Sequence, residues 1–583
     1  MADSSKDGWV SDSPMSEKYP IYTRGNVGEV FPDPVAPLSS TMALVPGAEA
    51  GWRDAFVRFG VFDEAEFSPE HMEILGVFGG YCYLNVSITR IFGVRVPGLT
   101  PELVDMTLFG QQEGIDPYTP LPTDESPEHT ARITETLGWI LTVDDLPDLR
   151  ADHEAIEALR AARPDLSTLS DRQLVEGTID LFATWFRKLF AQHLFITYCA
   201  MVPTGIVSTV CAAIGQPELA MRLVSGVGGV DSAAPSWTMW ELGRMALESK
   251  ALTAAFDAGI DGLAERLRAS DDAEVAKFVA RFDEFLYEFG SRGPNEWEVR
   301  CPTWETNPEL ALTAIDRMRL SPATAAPGGA QQTLAAEREQ LIAEVTAALE
   351  ADPEAQGQFQ AGVRAAGLFL AGRERTKTNI VRMIQEGRML MHEFGRRQVE
   401  AGTLTNMADF AMLDTSELRA FLDDPSRFRE LIAERTARFA ELEALTPPFV
   451  LNGERIPTSS WEQRGSSAVT VARAGTVLEG ISGCPGIARG RARVILDPFD
   501  GGDLEPGEVL VAPSTDPSWT PLFVPAAAVV VDVGAQLSHA IIVSRELGLP
   551  CVVSVTDGTR RIPNGALIEV DGTRGTVTVI EDC

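Results

Sequence analysis

Basic residues are in short supply: 49 Lys and Arg stand against 84 Asp and Glu, a formal net charge of −35. A surface of that sign repels nucleic-acid backbones and anionic membranes, so neither is expected as a partner. Cysteine is also sparse. Cys82, Cys199, Cys211, Cys301, Cys484, Cys551 and Cys583 are scattered without a C-x-x-C pair, which reads as reduced, buried thiols in a cytoplasmic protein. There is no G-x-x-x-x-G-K-[ST], so no P-loop is expected. Uninterrupted apolar runs are lacking too. The most apolar stretch, Leu189 to Ile214, contains Gln192, His193, Pro203 and Gly205 and reads as two buried helices rather than a membrane span. The opening MADSSKDGWVSDSPMSEK is polar and lacks the apolar core of a signal peptide.

What is present suits a globular protein. At 583 residues, 45% apolar and 23% charged, the chain exceeds one core, and two or three domains are expected. Residues 1–18 read as a solvated tail. Residues 19–448 read as a large, mainly helical domain, entered through a glycine- and proline-rich loop at residues 22–42. Ser68-Pro69 and Thr100-Pro101 look like helix starts, as does Ser170 with Gln173, a capping box. The aromatic-rich stretch at residues 78–94 reads as core before it reads as a ligand wall. The sequence at residues 321–333 is a flexible connection, and Thr446-Pro447-Pro448 closes the helical part. Residues 449–477 read as a linker. From residue 478 to 583, β-branched runs (ARVIL, GEVLVA, AAVVVDV, CVVSV, LIEVD, TVTVI) divided by Gly, Pro and Asp predict a compact α/β domain.

Two places carry chemistry. In GAQLSHAIIVSRELGLPCVV, residues 534–553, a buried-strand run from Ala526 to Val533 reaches a glycine-led turn. A helix then runs from His539 to the Gly548/Pro550 stop, and a second buried strand begins at Cys551. His539 therefore stands at a helix start, where free N–H groups favour an anion on the ring. In FLAGRERTKTNIVRMIQEGRMLMHEFGRR, residues 369–397, Arg373 and Lys377 lie four apart on one helix face, where a planar fork and a mobile point charge can hold a phosphoryl group. A solvated basic face accounts for the same spacing. His392 is almost two turns too far along for a general base.

SHAxIVxRELGxP resembles the phosphohistidine segment of the swivelling domain shared by phosphoenolpyruvate synthase, pyruvate phosphate dikinase and rifampin phosphotransferase. LVAPSTDPSWTPLF (residues 510–523) and GCPGIARGRARV (residues 483–494) are similar to the same family. The first is closest to the antibiotic-phosphorylating branch. The N-x-G-E-V-x-P stretch within residues 22–42 looks like the entry segment that lines the acceptor pocket there. EFGSRGPNEWEVRCPTWETNP (residues 288–308) resembles a family stretch written His-Arg-Gly-Pro-Gly-Glu. Ser291 replaces its histidine and Asn295 its second glycine, which leaves Arg292 and Glu296 as an expected structural ion pair. R-E-x-x-K at Arg373 and Lys377, followed by EFGRRQVEAGTL and DFAMLDTSEL, is similar to the end of the acceptor domain, where this arginine and lysine stand beside the phosphohistidine.

The resemblance implies a multidomain enzyme with a large, mainly α-helical acceptor-binding domain followed by a small α/β (β/β/α) swivelling phosphohistidine domain. Relatives carry an ATP-grasp domain in front, and nothing ahead of residue 22 has room for one. The charging half, with its ATP and Mg²⁺, is therefore expected on an ATP-grasp partner subunit. This layout resembles two-subunit phenol-phosphorylating enzymes, phenylphosphate synthase and the hydroxyphenylethanone dikinases. His539 would take phosphoryl from ATP, with AMP and phosphate released overall, and pass it to the hydroxyl of a small aromatic substrate such as a 4-hydroxyphenylethanone. The alternatives are a rifamycin-type antibiotic phosphotransferase subunit and a phosphocarrier relay to a protein partner.

Overall fold

Apolar-periodic stretches bounded by capping residues become helices, and β-branched runs become strands, in the computed structural model, which describes residues 8–109, 114–225, 227, 234–323, 326, 328–465, 469–498, 504–534 and 538–582. The chain divides into two units. One takes residues 1–200, 297–301 and 375–468; the other takes residues 201–296, 302–374 and 469–583. The long stretch 19–448 thus contributes to both.

In the first unit, β1 (Ile21–Thr23), β2 (Leu75–Phe78), β3 (Tyr81–Asn85) and β5 (Val450–Asn452) form an antiparallel sheet in the order β2-β3-β1-β5. β4 (Leu445–Thr446) pairs with β6 (Glu462–Gln463). The helices Ala50–Phe59 and Val86–Arg95 bring Phe56, Phe59 and Phe92 into ring contact with Tyr198. Tyr81 and Tyr83 are wholly buried; the aromatic stretch is core, as its composition implied. The capping box of Ser170 and Gln173 and the Thr100 cap are both formed.

Four expectations change here. Ser68-Pro69 starts no helix. Ser68 N–H donates to Glu73, and the following residues form the β2–β3 hairpin, closed by Gly79 and Gly80 at φ +56° and +85°, angles that cost a glycine nothing. Residues 8–18 are not a solvated tail, because Trp9 is buried with its Nε1–H donating to Val35 O (2.7 Å) and Ser16 Oγ–H donates to Glu73 (2.9 Å). Described parts of the expected linker at 449–477 are also structured: β5 pairs with β1, and Trp461 is buried. Finally, Leu189 to Ile214 is not two helices. A single helix, Asp171–Ala213, runs through Pro203. By length and composition it could cross a membrane, yet half of its most apolar window is buried inside the protein.

In the second unit, the helices Ala234–Glu248, Ala273–Phe289 and Pro308–Leu320 enclose a core that includes Leu242, Phe278, Phe285, Trp304 and Ile315. Gly243 permits close approach: a Cβ there would stand 2.9 Å from Arg319 N. The strands β7 (Val477–Glu479), β8 (Ile481–Cys484), β9 (Ile487–Val494), β10 (Val509–Ala512), β11 (Ala528–Val531), β12 (Cys551–Val553), β13 (Leu567–Asp571) and β14 (Thr576–Glu581) form one sheet, ordered β7-β14-β13-β9-β10-β11-β12-β8. Its centre, β9 to β12, is parallel. Period-two alternation sends Val509, Val511 and Val530 to one apolar core and Leu510, Ala512, Val529 and Val531 to the other. The helix His539–Leu547 covers the second core with Ala540, Ile541 and Val543. Burial on both faces is why these runs are continuously apolar.

Candidate functional site

The parallel strand β11 ends at Val531 and the helix His539–Leu547 follows; residues 535–537 of the glycine-led turn expected from the sequence lie outside the described residues. Ser538 is the N-cap in extended conformation, and Gly548 ends the helix at φ +70°, as the Gly548/Pro550 stop implied. His539 is thus the first helical residue, where unpaired backbone N–H groups and the helix dipole favour negative charge.

The imidazole is held on both sides, and the residue is only 8% exposed. Its Nδ1 lies 3.1 Å from Thr515 Oγ1 and its Nε2 lies 3.2 Å from Thr520 Oγ1. The Phe523 ring meets it edge to face at 5.9 Å. A hydroxyl can donate or accept, so this pair accommodates either neutral tautomer while fixing the ring plane. Thr515 follows β10, and Thr520 and Phe523 belong to the short helix Thr520–Phe523. Between them Asp516 organises the turn. Its Oδ1 accepts the Ser518 N–H (2.8 Å) and the Ser518 hydroxyl, and its Oδ2 faces the Asn295 N–H at 3.4 Å. Burial, with some help from Glu296, pushes the Asp516 carboxyl up to about 6 against the pull of these donors.

None of Thr515, Asp516, Thr520 and Phe523 was singled out by sequence, although all four fall inside the 510–523 motif. Two hydroxyls flanking a D-P-S-W turn carry no periodicity that marks them as ring partners. The replacement at Asn295 does have a visible physical basis: its φ is +49°, a left-handed position that glycine fills freely and asparagine tolerates best among other residues. Arg292 and Glu296 form the expected ion pair, 3.0 Å apart and both buried.

Arg373 and Lys377 stand one turn apart on the helix Pro353–Glu400. Arg373 pairs with Glu374 at 2.6 Å. With Leu370 and Glu374 it lines a cavity of about 30 Å³ closed by Ile542, Arg545 and Glu546 of the His539 helix. That volume suits a water molecule and not a phosphoryl group. Burial lowers the Arg545 guanidinium to about 10. Lys377 belongs to the 375–468 stretch of the other unit and is half-buried. Nearby thiols are chemically quiet, since burial pushes both Cys484 and Cys551 up to about 12.

Among the described residues one cluster has the reach to hold a metal ion. It lies in the first unit, where His129 Nε2 stands 3.4 Å from Asp63 and 3.3 Å from Glu66. Arg132 and Arg95 already hold those carboxylates at 2.9 Å and 2.8 Å. Two guanidiniums neutralise both anions, so the donor set fits an ion-pair network better than a divalent cation.

Residues 192–374 match the family model described as the rifampicin phosphotransferase fourth domain, and residues 504–575 match that of the PEP-utilising enzyme mobile domain. An uncharacterized protein of Mycobacterium tuberculosis is 29% identical over 98% of this chain and 62% of its own length. The prodigiosin synthesizing transferase PigC of Serratia marcescens is 26% identical over 98% of the chain and 64% of its own length. A rifampicin phosphotransferase of Streptomyces sviceus is 33% identical over 51% of the chain and 34% of its own length. The chain spans less than two thirds of the length of these curated relatives. The resemblance read from the motifs is borne out: the chain joins a stretch similar to the fourth domain of rifampicin phosphotransferases to one, containing His539, that is similar to the PEP-utilising enzyme mobile domain.

Proposed function

We propose that the chain is the acceptor-binding part of an ATP-dependent phosphotransferase in which His539 carries the phosphoryl group. The observation that carries this reading is the imidazole at a helix start, clamped by Thr515 and Thr520 within the stretch that matches a mobile domain. An ATP-grasp partner subunit binds ATP and Mg²⁺. Two phosphorus–oxygen bonds of the nucleotide break: one as a phosphorus–nitrogen bond forms on His539, the other as water takes up the terminal phosphate. The mobile domain then delivers the group to an organic hydroxyl, whose oxygen takes the phosphorus as the nitrogen leaves; AMP and phosphate are the other products overall. Arg373 and Lys377 neutralise charge on the group in flight.

The acceptor is a small aromatic hydroxyl, a phenol such as a 4-hydroxyphenylethanone. Ser291, standing where the family stretch has a histidine, supports it: a phenol gives up its proton readily and needs no strong base. A second reading, a rifamycin-type antibiotic as acceptor, is favoured by the match of residues 192–374 to the fourth domain of rifampicin phosphotransferase. One experiment separates them. The chain, the ATP-grasp subunit and Mg-ATP are incubated with a panel of phenols and a rifamycin, and AMP and phosphorylated products are measured. An aryl phosphate supports the first reading and a phospho-rifamycin the second. AMP with neither points to a relay to a protein. His539→Ala should abolish acid-labile label on the chain, and label that persists ends the proposal.

A further inference from the structure

We propose that Asp516 is a positioning residue that latches the mobile domain onto the helical part of its own unit and so keeps the His539 imidazole out of solvent. Asp516 has two carboxylate oxygens and uses them in different directions. Oδ1 caps the Pro517–Trp519 turn through the Ser518 N–H and hydroxyl, which sets Thr515 before the turn and Thr520 after it on either side of the ring. Oδ2 reaches outward to the backbone N–H of Asn295, presented by a residue in left-handed conformation. One side chain therefore joins the imidazole clamp to the turn at Asn295.

Other contacts of the same face run alongside. Arg317 donates to Pro498 O at 2.9 Å. Val524 packs on the helical core, and Met221 packs on the core beneath the His539 helix. His539 is buried in this arrangement, and a buried imidazole must gain access before it can meet a nucleotide. At 3.4 Å the bond to Asn295 is long, and Glu296, next in sequence, repels the same carboxylate. A long contact opposed by a like charge is cheap to break, which is what a reversible latch needs. Its purpose in phosphoryl transfer rests on the function proposed above, but the contact and its test do not.

The test is the rate at which diethyl pyrocarbonate, which acylates accessible neutral imidazoles, modifies His539 in the full chain, read peptide by peptide by mass spectrometry. Buried His193 is the internal reference for the fold. Asp516→Asn keeps the Ser518 cap but sets an amide N–H₂ against the Asn295 N–H. It should raise the His539 rate about five-fold, the scale of one lost hydrogen bond, with His193 unchanged. Asp516→Ser, a good cap too short to reach Asn295, should do the same and decides the matter if the asparagine variant is misfolded. Ser518→Ala, which spares the Asn295 contact, should change the rate less than about two-fold. A His539 rate at the wild-type level in the serine variant would overturn the latch. An equal rise in Ser518→Ala would also overturn it, because Asp516 would then act only by ordering its own turn.

Discussion

At the scale of single residues, the division of labour around His539 follows from what each ring nitrogen can do. A neutral imidazole carries one N–H and one lone pair, and only the lone pair can attack phosphorus. Under the function proposed above, the distal Nε2 is taken as the nitrogen that receives the phosphoryl group. Thr515 then favours the productive tautomer when its hydroxyl accepts the Nδ1–H, and Thr520 stands over the Nε2 that would attack. Thr515→Val, which keeps the shape and removes the hydroxyl, should slow phosphohistidine formation about ten-fold, the kinetic value of one hydrogen bond near 1.4 kcal/mol. Thr520→Val should leave that rate unchanged or raise it. Acid-labile label incorporated per minute distinguishes the two, and equal slowing would mean that the threonines only hold the ring still. Arg373→Ala should slow transfer to the acceptor more than labelling of His539; an equal loss in both steps would remove it from the transfer step.

At the scale of elements, the mobile domain was legible because its signals are local. Each β-branched run bounded by glycine, proline or aspartate became β9 to β14, and the helix from His539 to Gly548 ended where the glycine required. The misread elements depend on distant partners. The strands β2 and β3 look helical from Ser68-Pro69 onward, but their pairing is set by the Gly79-Gly80 turn and by β1, far earlier in the chain. The site was legible in its histidine and not in its clamp, because Thr515 and Thr520 meet the ring only after β10 and β11 are side by side. Asp532, just past β11, shows such a joint at work: its carboxylate accepts the N–H and hydroxyl of Thr559 and so ties the strand to the helical turn Gly558–Arg561. Burial pushes this carboxyl up to about 7 from 3.8. The folded state therefore binds a proton more readily than the unfolded chain, and stability from this group falls as pH rises from about 4 to about 7, then levels off. The slope is at most about 1.4 kcal/mol per pH unit. Asp532→Asn should remove it. The difference in melting temperature between variant and wild type should therefore grow from pH 5.5 to pH 7.5, and a constant difference would show that Asp532 does not titrate there.

At the scale of the whole molecule, the order of the chain and the order of its units disagree. The sequence passes between the two units at residues 200, 296, 301, 374 and 468, so no single cut divides them, and a fragment ending at residue 200 lacks the 375–468 stretch that completes its unit. The C-terminal region differs. Both apolar cores of its eight-stranded sheet are built from buried residues between Ala472 and Val579, with every strand of the sheet supplied from Val477 onward. A region that owns its sheet and both cores meets the physical condition for folding alone. Residues 469–583 expressed as a fragment should unfold in one cooperative transition. Trp519, the single tryptophan in that stretch, is 4% exposed in the core beneath the His539 helix and reports on it directly. Its emission should be blue-shifted in the folded fragment and move red in step with the loss of far-ultraviolet circular dichroism. His539 should also be far more open to diethyl pyrocarbonate in the fragment than in the full chain, since the Asn295 turn is gone. A fragment with red-shifted emission and no transition would mean that the sheet needs the helical part to fold, and a domain of that kind could not swing between two sites.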